Sequence, residues 1–119
     1  MGVSGGGSRA RFDDLVDEAV AGLPDWILDR LDNVVVIVEE EPPADEPDLL
    51  GLYEGIPLTE RGADYFGVLP DRIRLFRSTI EDEAEDDEDL VDVVQDTVVH
   101  EVAHFFGISD ERLHELGWD

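Results

Sequence analysis

The sequence predicts a single small α/β domain of the α+β type, a small β-sheet packed against two N-terminal helices and a longer helix near the C-terminus. Three observations predict it. Apolar residues recur at helical spacing over Phe12–Leu23 and again over Leu90–Phe106. The β-branched run Val34-Val35-Val36-Ile37-Val38 and the alternation Arg72-Ile73-Arg74-Leu75 have the residue types and the two-residue period of strands. Finally, 119 residues with 42% hydrophobic content suffice for one modest core.

Taken in order, the glycine- and serine-bearing start is expected to be flexible, with 1–10 as a lead-in and 11–119 as the domain. Phe12, Leu15, Val16, Ala19, Val20 and Leu23 form the apolar stripe of a first helix ending near Gly22. Pro24-Asp25 then starts a short second helix with Trp26, Ile27, Leu28 and Leu31, in which Trp26 is expected to pack into the core. Asn33 leads into Val34–Val38, expected as a buried strand, and the proline- and acid-rich 39–48 is a surface loop. Leu49–Tyr53 is a second strand turned at Glu54-Gly55, followed by a loop over Thr59–Gly67. Arg72–Arg77 is a third strand with one buried and one wet face. Its arginines either border an exposed edge that binds an added peptide strand or simply offset the acidic surface. Glu81–Asp89 reads as a solvated acidic loop whose last acids favour the next helix's N-terminus; weak divalent-cation binding is the alternative.

Charge narrows the function. With 32 acidic residues against 8 basic ones, all arginine, the net charge is −24, which argues against nucleic-acid and anionic-membrane partners. No apolar run is long enough to span a bilayer, and no basic and apolar leader opens the chain, so a cytoplasmic location is the expectation. Without cysteine there is neither a disulfide nor a thiolate ligand.

The chemistry concentrates in His100-Glu101-Val102-Ala103-His104. On a helix, residues four apart lie about 40° apart around the axis, so both imidazoles can reach one metal ion. Glu101 sits beside that face as a general base, the H-E-x-x-H arrangement. A third ligand is then needed. Gly107 can bend the chain, and Asp110, six residues past His104, falls where H-E-x-x-H-x-x-G-x-x-H carries its last histidine. Asp110 is read as that ligand or, alternatively, with Ser109, as the cap of a last helix. His114 and Glu115 are remoter candidates, with His114 expected to be exposed. Asp96, one turn before His100, either orients an imidazole or faces water. Tyr53 and Tyr65 are candidate hydroxyl donors, with core packing as the other role.

These stretches are similar to the small bacterial zincin-like metallopeptidase family, a minimal matrix-metalloprotease-like domain with an H-E-x-x-H-x-x-G-x-x-D motif. The resemblance rests on Leu49–Thr59, on Leu69–Arg77 and above all on Thr97–Asp110. It implies a zincin-like fold and a Zn²⁺-dependent peptidase acting on a peptide or protein substrate. The alternative is a catalytically silent metal- or peptide-binding module. So short a chain leaves little material for a deep cleft, and a homo-oligomer is one way to complete it.

Overall fold

Phe12, Val16 and Ala19 recur along one face, and burying that face fixes the first helix, α1 (Ser4–Ala21). The computed structural model describes residues 4–61 and 69–116, with side chains described over 10–61 and 69–115. Helix α1 thus begins N-terminal to the boundary expected at residue 11. A single turn of helix, α2 (Asp25–Leu28), runs into a 3₁₀ turn at Asp29–Leu31. Three strands follow, β1 (Val34–Glu39), β2 (Gly51–Glu54) and β3 (Asp71–Phe76), with a 3₁₀ turn at Leu58–Glu60 between the last two. Helices α3 (Arg77–Glu83), α4 (Asp87–Phe105) and α5 (Asp110–Leu116) complete the described chain.

The sheet order is β1-β3-β2, with β1 parallel and β2 antiparallel to β3. Register brings Val36, Ile73 and Tyr53 into one cross-strand row and Val38, Leu75 and Gly51 into the next. These rows face the core, where Ile73 and Leu75 meet Val16 of α1, Ile80 of α3, and Val94, Val98 and Val102 of α4. The alternate residues of β3 face outward. Arg72 pairs with Glu54, and Arg74 pairs with both Glu39 and Glu54, so an arginine on the middle strand ties the two outer strands together. The two guanidinium groups hold the Glu54 carboxyl below its ordinary value, and the Arg72 hydrogen bond is the larger cause.

The structure decides between some expectations and corrects others. β3 is the middle strand, paired on both sides, so it offers no exposed edge for a peptide; its arginines serve the acidic surface instead. β1 is an outer strand and only half-buried, with Val35 exposed, because helices cover one face of the sheet and no described strand extends it beyond β1. Trp26 is 64% exposed rather than in the core, since α2 is too short to turn that position inward; its ring leans on Phe106. Val99 likewise sits outside the buried stripe of α4. The acidic run is mostly helix: Glu81–Glu83 end α3 and Asp87–Asp89 begin α4, leaving only a short connection. Asp86 caps α4 by accepting the Asp89 N–H, and three acids in the first turn complement the helix dipole. Tyr65 lies outside the described residues.

Candidate metal centre

Helix α4 carries the site, and its packing sets which way the site faces. Val94, Val98, Val102 and Phe105 bury one side against the sheet and α1, which leaves His100 and His104 at the edge of that buried stripe. The two rings stand edge to face with centroids 4.7 Å apart. Glu101 falls between them in sequence and is almost wholly buried, at 5% exposure. A ligand atom from each of His100, Glu101 and His104 lies within 4.8 Å of the others.

The helix ends in a bend that brings the chain back. Ile108 N–H donates to the Ala103 carbonyl and Gly107 N–H to the His104 carbonyl, a Schellman closure. Gly107 has φ +94°, and a Cβ there would collide with the Thr59 side chain, so both backbone and space require glycine. Ser109 then caps α5 by accepting the Arg112 N–H, and Leu113, fully buried, pins α5 to the core. With the cap supplied by Ser109, the first residue of α5, Asp110, is left to face the histidines. Its Oδ1 lies 2.9 Å from His100 Nε2 and 2.9 Å from His104 Nε2. The three predicted ligand side chains therefore meet at one point. His114 and Glu115 are exposed on α5, with Glu115 paired to Arg112.

Hydrogen bonding orients the donors. His104 Nδ1 is 2.8 Å from the Ile108 carbonyl, which can only accept, so Nδ1 carries the proton and Nε2 presents a lone pair. That lone pair faces an anionic oxygen, an arrangement completed only by a positive charge between them, a proton or a metal ion. Two imidazole nitrogens and one carboxylate oxygen are also the donor chemistry that suits zinc, and the residues therefore fit the ion. Asp96 is exposed and makes no hydrogen bond to His100 among the described residues, so of its two readings the one observed is that it faces water.

Glu101 is held from the other side. Its carboxylate accepts the Tyr53 N–H from β2. Burial pushes the carboxyl up, while His104 and then His100 pull it back. The Tyr53 hydroxyl, by contrast, donates to buried Asp71 at 2.6 Å, and Arg61 meets the same carboxylate oxygen while lying over the Phe105 ring. Burial and the Asp71 bond raise the Tyr53 pKa far above its ordinary value. That hydroxyl is thus a structural tie between β2 and β3, and the core-packing role foreseen for Tyr53 is the one observed.

Gly51 was not foreseen as part of the site. It occupies the core-facing row beneath α4, where a Cβ would stand 2.9 Å from Thr97 Cγ2, 3.1 Å from Glu101 Cγ and 3.2 Å from the Arg74 carbonyl. Its signal in the sequence is a lone glycine inside an apolar strand, which marks a close approach. We expect Gly51→Ala to push α4 off β2, costing about 1–3 kcal/mol of stability by overpacking. Denaturant unfolding measures this, and an unchanged midpoint would show that α4 does not depend on this contact.

A family model described as zincin-like metallopeptidase matches residues 31–118. Among solved structures, a conserved hypothetical protein from Thermo thermophilus is 25% identical, with a TM-score of 0.60 over 93% of this chain and 99% of that one. No curated protein matches.

Proposed function

Because the chain belongs to the zincin-like metallopeptidase family, we propose that it is a zinc-dependent peptidase in which His100, His104 and Asp110 hold the ion and Glu101 is the general base. The observation that carries this reading is the meeting of both Nε2 atoms at Asp110 Oδ1, with the Glu101 carboxylate beside them. The smaller, matrix-metalloprotease-like form of the family, with aspartate as its third ligand, is part of the proposal.

Bound zinc supplies Lewis acidity, polarising a carbonyl oxygen and making water more acidic. Everything else falls to the chain's own groups. Glu101, fixed by the Tyr53 N–H, accepts the proton of the attacking water and returns it to the leaving amine. His104, fixed by the Ile108 carbonyl, keeps its Nε2 lone pair directed at the ion's position. The Schellman bend at Gly107 holds the third ligand against the first two. The substrate is a peptide or protein. No described helix is long and apolar enough to cross a membrane; independently of that, we propose a cytoplasmic location.

The test is cleavage of a random peptide library by the zinc-loaded protein. Cleavage that stops on chelation and returns with zinc is the expected result. Tight zinc binding without cleavage of any peptide would instead assign the catalytically silent binding module.

A further inference from the structure

Beside His100 and Glu101 lies a groove of about 410 Å³ between α4 and the segment leading into β2. Its two kinds of lining residue are segregated. Leu49, Leu50 and Val93, all half-buried, give it an apolar floor, and its polar rim carries the exposed carboxylates of Asp48, Glu83 and Asp96. Among the described residues, no arginine lines it. Arginines neutralise several acids elsewhere: Asp71 meets Arg61, Glu39 and Glu54 meet Arg74, and Glu40 and Glu81 meet Arg77. No ion pair among the described residues reaches the three rim carboxylates. Nor do they form a metal site, since among the described residues none of the three belongs to a group of ligand atoms close enough together to hold an ion.

From this we infer that the groove recognises a lysine or arginine side chain of the substrate, next to the bond being cut. A long aliphatic stem matches the leucine and valine floor, and a cationic head matches the carboxylates at the rim, the division that such side chains adopt at any boundary of apolar and polar surface. A neutral apolar side chain satisfies the floor alone, and an acidic one is repelled. The net charge of −24 acts in the same direction at longer range, drawing basic segments toward the molecule. That this side chain lies next to a scissile bond rests on the peptidase reading; the preference for a cation does not.

The experiment has a binding arm and a cleavage arm. In the first, the zinc-loaded Glu101→Gln protein is titrated into a fluorescein-labelled alanine-leucine peptide carrying one lysine, and into its norleucine counterpart, by anisotropy. The lysine peptide is expected to bind about tenfold tighter, the ratio that 1.4 kcal/mol confers. Adding Asp48→Asn and Asp96→Asn should reduce that ratio to about twofold or less, whereas Asp14→Asn and Asp17→Asn, equal in charge but on α1, should leave it in place. Equal binding of the two peptides overturns the inference, as does equal loss from both variant pairs, which would trace the preference to bulk charge. The cleavage arm runs the same library with Glu101 intact. Cleavage indifferent to basic residues overturns the groove assignment while the peptidase reading stands. Groove-dependent lysine binding without any cleavage upholds the recognition and removes the peptidase reading.

Discussion

Replacing Glu101 by glutamine is expected to leave zinc bound at one ion per chain and to lower kcat/KM by about 10²–10⁴-fold, the usual contribution of a positioned general base. The size of the effect follows from how the carboxylate is held. Glu101 is 5% exposed, its carboxylate accepts the Tyr53 N–H, and its neighbours on either side of the turn are the two histidines. Glutamine has the same shape and still offers a carbonyl oxygen to Tyr53 N–H, so the variant should fold. What it loses is the ability to take a proton. Elemental analysis and thermal unfolding establish that metal and fold are retained, and steady-state cleavage of a responsive peptide reads the loss. A variant as fast as the parent would assign the proton transfer to another group.

Asp110→Ala is expected to act on the other half of the site, weakening zinc binding by more than about 100-fold, beyond the 10–100-fold that loss of an outer hydrogen-bonding partner costs a metal centre. Asp110 supplies the one oxygen that both Nε2 atoms approach, at 2.9 Å each. Its side chain is 81% exposed, and α5 is capped by Ser109 and anchored by Leu113, so the metal-free variant should unfold at nearly the parent's temperature. The stabilisation that saturating zinc gives the parent, which grows with the ratio of free zinc to its dissociation constant, should largely disappear. Competition with a chromogenic chelator measures the affinity directly. Ser109→Ala is the informative companion, since it should cost about 1 kcal/mol of helix capping while leaving all three donors in place. If Ser109→Ala weakened zinc as much as Asp110→Ala, the aspartate would matter for the helix rather than for the ion.

Both variants act on residues visible in the linear order of the chain, and the reason is local. The i, i+4 spacing of His100 and His104 fixes their common face on any helix. Gly107 marks the bend because few other residues tolerate φ +94°. The choice between ligand and cap for Asp110 was open in the sequence, because Ser109 and Asp110 are both capping residue types. The structure gives the cap to Ser109, whose Oγ accepts the Arg112 N–H, a contact that no pattern reveals.

The chain by itself determined the helices with buried stripes, the three strands, the acidic surface and the spacing of the histidines, because each of these is set by neighbours within a turn or a strand. Tertiary structure alone decided that Arg72–Phe76 is the middle of the sheet rather than its edge, that Trp26 lies outside the core, and that Gly51 makes room for Glu101. It alone also brought the Tyr53 N–H to that carboxylate. Those outcomes depend on which strand lies beside which and on how closely a helix may approach. Contacts between residues far apart along the chain leave no period and no local preference to read.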